Sequence, residues 1–366
     1  MNGGLKISVS GFRGIVGEDL TPERIIRFAA SFALHRKGKI VIGHDTRISS
    51  EPIKKLIVGT LQSMGSEIVD IGVVPTPTCG IAVKELGACG GIMITASHNP
   101  EHWNGIKFLK EDGGGIEEDE IMRIAEFSEK GGLEWAKYDK LGVVRNWDGA
   151  IDLHIRKVLN LPFFDLDEIR SMRLQVVYDG NNGAGCVAIP GLLGELGCDV
   201  VVINGEPNGR FSHKLEPTPD ALYELGEAVK EVTANLGLAT DPDADRLAIV
   251  DETGNPISEE FTLAFAADYL LSKNPGPVVV NLSTSSLIDY VAENYGVPVY
   301  RTKVGELNVA RMLTKIGGVI GGEGNGGVIV PPVHIGRDSL VASALIIAYI
   351  RQKNKNVSAL VNDFPR

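Results

Sequence analysis

Short β-branched runs alternate with helical stretches along the chain, and they fall into three sets of three. The first set is "KIVIGHDTR", "EIVDIGVVPTPT" and "GGIMITASHNP". The second is "LQVVYDGNNGAG", "CDVVVINGEPN" and "LGLATDPDADR", and the third is "GPVVVNLSTSS", "VPVYRTKVGE" and "GGVIGGEGNGG". Strand-length runs separated by helical segments predict α/β layers with parallel strands. A structural period without residue-level repetition predicts similar units in tandem. Each run ends in a polar or glycine-rich loop, and open α/β sheets bind ligands beyond the carboxyl ends of their strands. If the three units face one cleft, their third loops, "TASHNP", "DPDADR" and "GEGNGG", converge there.

The segments between the runs carry helix signals. "TPERIIRFAASFALHRKG" offers Thr21 as N-cap, Pro22 at the first helical position, and cationic residues before Gly38. "SSEPIKKLIVGTLQSMG" places Ser49 or Ser50 before Pro52 and ends at Gly65. "PDALYELGEAVKEVTANLG" spaces its apolar residues as an amphipathic helix does.

Composition narrows the function classes. The 366 residues are 43% hydrophobic with a formal net charge of −11. That balance argues against nonspecific nucleic-acid binding, which needs a basic footprint. A local Arg/Lys cluster can still hold a small anion, because only the field in the cleft matters. Four cysteines, Cys79, Cys89, Cys186 and Cys198, form no C-x-x-C pair, so free buried thiols are expected. No apolar stretch is long enough to span a bilayer, and the N-terminal residues lack a leader pattern, so the expected location is cytoplasmic.

"DPDADR" alternates Asp241, Asp243 and Asp245 after a predicted strand. Three hard oxygen donors aimed at one centre suit Mg²⁺ or Ca²⁺ better than zinc, with an acidic surface turn as the alternative. Counted as an EF-hand loop, the stretch has Glu252 at position twelve but Arg246 where the glycine belongs, and its flanks read as strands. Arg246 suits a phosphate contact, since its fork matches phosphate oxygens. "TASHNP" lacks the glycines of a nucleophile elbow, and Ser97 and His98 are adjacent, which does not by itself make a triad. A simple turn is one reading. A serine near a metal-carboxylate loop can instead carry a phosphoryl group. In "GEGNGG", Glu323 and Asn325 suit sugar hydroxyls, and a glycine-rich strand connection explains the loop equally well. Arg13, Arg47, Lys107, Lys303 and Arg337 lie in predicted glycine-containing loops and are candidate anion contacts.

Together these loops resemble the α-D-phosphohexomutase family. "TASHNP" is similar to its phosphoserine loop, "DPDADR" to its metal loop and "GEGNGG" to its sugar-recognition loop. "GFRGIVG", "GHDTR", "NGIK", "DGNNGAG" and "RTKVGE" follow in the family's order. The resemblance implies three tandem α/β domains with mixed, mainly parallel sheets facing a shared cleft. They would comprise a phosphoserine domain (1–146), a metal-binding domain (147–253) and a sugar-recognition domain (254–366). It implies that Ser97 carries a phosphate and that Ser97, Asp241, Asp243 and Asp245 hold Mg²⁺. A hexose or hexosamine phosphate would pass through a 1,6-bisphosphate. Lys107, Arg13 and His98 are implied for charge stabilisation or proton transfer. Arg246, Lys303 and Arg47 are implied for phosphate binding, and Glu323 and Asn325 for the sugar.

Three departures accompany the resemblance. Pro242 stands where many relatives have glycine, with the ligand spacing kept. Gly327 stands where a large branch has histidine, which shifts acid–base weight to Lys107. The segment "GRDSLVASALIIAYIRQKNKNVSALVNDFPR" reads as closing helices of the third domain, so the family's fourth, phosphate-clamping domain is expected to be absent. A Mg²⁺-dependent sugar phosphatase and a sugar-phosphate-binding protein without turnover are the alternatives. A monomer or homodimer is expected.

Overall fold

A computed structural model describes residues 4–8, 11–130 and 133–365. Met1–Gly3, Val9 and Ser10 of the stretch searched for a leader, and Arg366 of the closing segment, lie outside the described residues. The chain divides into two compact units, Met1–Ile151 with Asn208–Arg210, and Asp152–Pro207 with Phe211–Arg366.

The first unit is built on one sheet. Its strands are β1 (Lys6–Ser8), β2 (Gly11–Ile15), β3 (Lys39–His44), β4 (Glu67–Val73), β5 (Gly90–Ile94), β6 (Trp103–Leu109) and β7 (Val144–Asn146). They lie in the order β1-β2-β6-β5-β3-β4-β7. Strand alternation sends Ile40, Ile42, Ile68, Ile92 and Ile94 to one face, against Phe28 and Phe32 of the helix Pro22–His35 and Ile53 and Ile57 of the helix Ser50–Ser63. Val41, Val69 and Met93 face the other way, against Cys79, Ala82 and Val83 of the helix Thr76–Glu85. Both faces are covered, which explains why these strands read as continuous apolar runs. Thr21 caps its helix as expected, accepting from the Arg24 amide at 3.5 Å.

The second unit holds two four-stranded sheets. One is β11-β10-β8-β9, from β8 (Gln175–Asp179), β9 (Asp199–Ile203), β10 (Leu236–Thr240) and β11 (Leu247–Val250). The other is β13-β12-β14-β15, from β12 (Val278–Asn281), β13 (Val299–Thr302), β14 (Ile320–Glu323) and β15 (Gly327–Ile329). The closing segment forms helices Ser339–Lys353 and Val357–Asn362. The first of these packs against the helix Glu260–Lys273 of the third set and the helix Ile189–Glu195 of the second.

One topology recurs in all three sheets. The first strand of each set sits between the second and third, parallel to both, as β4-β3-β5, β9-β8-β10 and β13-β12-β14. A fourth strand then returns antiparallel to the third: β6 on β5, β11 on β10, β15 on β14. The sequence reading finds the three runs of each set but not this returning strand as a shared feature. Short loops join antiparallel neighbours, so each third loop is the tip of a hairpin.

Arg13 and Lys107, expected in loops, sit on β2 and β6. The expected helix after Pro219 begins with a 3₁₀ turn, Pro219–Ala221, and becomes α-helical only at Tyr223. All four cysteines are free, and burial pushes the Cys79, Cys186 and Cys198 thiols up to about 12. Among the described residues, no helix is long and apolar enough to cross a membrane.

Candidate active site

In the first unit, the hairpin between β5 and β6 carries Ser97. Its side chain is 1% exposed and its φ is +50°, a left-handed conformation uncommon for a residue with a Cβ. The Ser97 amide donates to Thr95 Oγ1 at 2.9 Å. The turn brings Ser97 Oγ within 3.2 Å of His98 Nδ1, so adjacency does put hydroxyl and imidazole in contact here. Arg13, on β2 opposite Gly105 of β6, donates from Nη1 to Asn99 Oδ1 at 3.1 Å. Lys107 follows on β6, paired with Met93 of β5 and largely buried. Gly105 permits this stacking of strands. A Cβ there would meet the Phe12 and Thr95 carbonyl oxygens at 2.7 Å each.

Arg47 departs from its expected role as an anion contact. Nη2 donates to the carbonyls of Ser97 at 2.5 Å and Asn99 at 2.6 Å. Nη1 donates to those of Pro100 at 2.8 Å and Trp103 at 3.1 Å, and Nε donates to Asp45 Oδ2 at 3.2 Å. Five donors meet five acceptors, which leaves the guanidinium no hydrogen for a phosphate. Asp45 also accepts from Ser50 Oγ at 2.6 Å. Burial pushes the Asp45 carboxyl above its ordinary range, against the pull of Arg47 and Ser50.

In the second unit, the hairpin between β10 and β11 is "DPDADR". Asp241, Asp243 and Asp245 are buried, and one oxygen of each lies within 4.8 Å of those of the others. Ala244, at φ +51°, makes the tight turn that gathers them. Asp241 Oδ1 accepts the Asp245 and Arg246 amides at 3.1 and 3.3 Å. Burial, then the Asp245 and Asp243 charges, push Asp241 well above its ordinary range, opposed by Arg246. Three crowded hard-oxygen donors in a dry turn fit a divalent cation of the Mg²⁺ type, which would neutralise the charge that raises Asp241. An acidic surface turn does not fit, because none of the three is on the surface. The flanking strands also exclude the EF-hand.

The "GEGNGG" hairpin, between β14 and β15, lies against this aspartate loop within the same unit. The Leu247 amide donates to Gly326 O at 3.1 Å. Gly326 has φ +85°, and a Cβ on it would meet Leu247 O at 2.3 Å, so glycine is required at this crossing. Arg337 then bridges the two loops, with Nη2 on Asp245 Oδ2 at 2.7 Å and Nη1 on Glu323 Oε2 at 3.0 Å. Burial disfavours the Arg337 charge, yet the surrounding carboxylates Asp245, Glu306 and Glu323 outweigh burial and raise its pKa well above the ordinary value. Glu323 Oε1 accepts from Asn281 Nδ2 at 2.8 Å and from the Gly305 amide at 3.2 Å, which draws the "RTKVGE" loop and exposed Lys303 to the same end. Asn325 Oδ1 is buried without a hydrogen-bond partner. Ser339 Oγ donates to Ala244 O at 2.6 Å, so the last long helix also holds the aspartate turn.

Sequence reasoning missed two neighbours. Glu216 accepts from Arg246 Nη1 at 2.7 Å. The sequence signal for it is an acidic residue just before two loop prolines in "LEPTPD". His213 lies with Nε2 3.1 Å from Asp179 Oδ2 and Nδ1 2.9 Å from Lys214 O. Burial lowers the His213 pKa, but these two acceptors outweigh it, and the pKa is raised above its ordinary value of 6.5. A raised histidine contributes stability that is fully present below pH 6.5 and is lost as pH rises through the folded-state pKa. The midpoint of urea unfolding is therefore expected to fall as pH rises from 6 to 8, and His213→Gln is expected to flatten that slope. An unchanged slope in His213→Gln would refute the assignment.

Three family models match in succession. Phosphoglucomutase/phosphomannomutase alpha/beta/alpha domain I matches residues 4–134, domain II residues 152–254 and domain III residues 258–366. A Thermococcus kodakarensis protein named "Phosphoglucomutase/phosphomannomutase" is 39% identical over 364 residues, covering 97% of this chain and 79% of its own length. A Methanopyrus kandleri protein named "Probable phosphoglucosamine mutase" is 36% identical, covering 99% of this chain and 79% of its own. The crystal structure of a phosphoglucomutase/phosphomannomutase family protein from Burkholderia thailandensis superposes with a TM-score of 0.84 at 25% identity, covering 99% of this chain and 81% of that one.

Proposed function

This chain belongs to the α-D-phosphohexomutase family, and from that membership we propose that it moves phosphate between the 1 and 6 positions of a hexose phosphate. The observation that carries the reading is the buried aspartate cluster, tied through Arg337 and the Leu247–Gly326 bond to a loop presenting Glu323 and Asn325. A pure sugar binder gains nothing from three crowded carboxylates, which cost stability unless a cation serves a reaction.

In this reading Ser97 carries the phosphate as an ester. The Ser97 Oγ–P bond breaks as a sugar oxygen bonds to phosphorus, giving a hexose 1,6-bisphosphate. A neutral Lys107 or His98 accepts the proton of that sugar hydroxyl, while the Arg13 guanidinium, which keeps its protons, stabilises the developing charge. The bisphosphate turns over, and its other phosphate returns to Ser97 as the proton goes back to the sugar oxygen. Asp241, Asp243, Asp245 and a Ser97 phosphate oxygen would hold Mg²⁺, which would supply neutralisation of charge during transfer. Arg246 and Lys303 oppose phosphate oxygens. Glu323 and Asn325 take sugar hydroxyls, Asn325 through the oxygen that now has no partner. Domain boundaries at 1–146, 147–253 and 254–366 belong to the same reading. The names of its relatives support phosphoglucose, phosphomannose and phosphoglucosamine as the substrate range.

The test combines peptide mass mapping for phosphate on Ser97 with coupled assays on glucose, mannose and glucosamine 1-phosphates. The expected result is a phosphorylated Ser97 and formation of the 6-phosphate isomer. Inorganic phosphate released without isomer would make the protein a phosphatase. Sugar-phosphate binding with Ser97 never phosphorylated would make it a binder.

A further inference from the structure

We infer that Arg47, anchored by Asp45, is the positioning residue that holds the Ser97 loop in its reactive shape. The inference rests on Ser97 being the phosphate carrier. Arg47 lies three residues beyond the end of β3 and is 2% exposed. Its first anchor is local, since Asp45 Oδ1 accepts the Arg47 amide at 3.0 Å and Oδ2 faces Nε. Asp45 is itself fixed to the sheet, its amide donating to Ile94 O at 3.0 Å. The guanidinium is thus immobile before it reaches the loop. There it takes four backbone carbonyls spread over Ser97–Trp103.

A non-glycine residue in the left-handed region is strained and persists only where its surroundings over-determine it. Ser97 is determined from both sides, by Thr95 Oγ1 on its amide and by Arg47 on its carbonyl. Those bonds fix the peptide planes and therefore the direction of Cβ and Oγ. The Arg47 donors are taken by carbonyl oxygens and Asp45, and this saturation separates its role from phosphate binding. A lysine cannot replace it, because an ammonium has three donors for five acceptors and lacks the planar fork.

The experiment measures Arg47→Lys, Arg47→Ala and Asp45→Asn beside the wild type. Readouts are kcat and KM for a hexose 1-phosphate, the rate at which Ser97 gains phosphate from a hexose 1,6-bisphosphate, and rescue of Arg47→Ala by dilute guanidinium chloride. A misplacement of about 1 Å costs roughly 10²-fold in rate. All three variants are therefore expected to lose about 10²-fold in kcat and in Ser97 loading, with KM within about threefold of wild type. Guanidinium is expected to restore part of the Arg47→Ala rate and to do nothing for Asp45→Asn. A raised KM at unchanged kcat would make Arg47 an anion contact and overturn the inference, as would wild-type loading of Ser97 in Arg47→Lys. Should Arg47→Ala fold poorly, Asp45→Asn and Arg47→Lys decide the same question. Wild-type protein that takes no phosphate on Ser97 would instead overturn the mutase reading, and this role with it.

Discussion

Ser97→Ala is expected to lower mutase turnover by roughly 10⁴-fold or more, the scale of loss when an enzyme's nucleophile is removed. The effect should fall on chemistry rather than on folding. The bonds that shape the loop run through the Ser97 amide and carbonyl, to Thr95 and Arg47, and alanine keeps both. Alanine gives up the 3.2 Å contact with His98 Nδ1. The melting temperature is therefore expected to stay within about 2–4 °C of wild type, the shift that roughly 1 kcal/mol produces in a chain of this class. His98 offers a rival explanation, since a neighbouring imidazole can itself accept phosphate. His98→Gln separates the two, with activity largely retained if Ser97 is the carrier. Substantial turnover in Ser97→Ala, with phosphate found on His98, would sink the phosphoserine assignment.

The fold was legible in the sequence to the extent that burial writes itself into composition. Strands covered on both faces must be apolar throughout, so β3, β5, β8, β10, β12 and β14 stand out as runs. The returning strands do not. β6, "WNGIKFL", mixes polar and apolar residues, and β15 is only Gly327–Ile329, too short to carry a period. Lys107 therefore reads as a loop residue although it lies on β6, and Arg13 does so because β2, "GFRGI", is short and glycine-rich. In the site, Asp241, Asp243 and Asp245 were legible because three carboxylates at alternate positions need a shared counter-charge. Arg47 was visible as a charge but not as a clamp. What an arginine donates to is set by carbonyls 50 or more positions away, which no local pattern encodes. Arg337 is the same case, since the acceptors of its Nη2 and Nη1 belong to hairpins of different sheets. Charge type is local information, whereas hydrogen-bond saturation belongs to the tertiary structure.

Asp243→Asn is expected to move stability and activity in opposite directions. The Asp241 amide bonds and the Arg337 bridge do not pass through Asp243, so this substitution removes a charge while sparing those links. In the metal-free protein the three carboxylates repel, and the Asp243 charge is one cause of the raised Asp241 pKa. Taking it away is expected to stabilise the metal-free protein by on the order of 1 kcal/mol, a rise of about 2–4 °C in Tm. Wild type should overtake it once Mg²⁺ is added, because a ligand at about 100 times its Kd contributes about 2.7 kcal/mol. The variant should show little Mg²⁺-dependent shift, and its turnover should fall roughly 10³-fold with the charge neutralisation a bound cation supplies. Differential scanning calorimetry in EDTA and in Mg²⁺ reads the stability terms without reference to turnover. A variant that melts lower than wild type in EDTA would mean that the aspartates are held by the fold rather than strained by mutual repulsion. A Mg²⁺ shift equal to that of wild type would place the cation elsewhere. The crossing of the two melting curves follows only if the cluster is kept, at a cost to the empty protein, for the cation it holds when working.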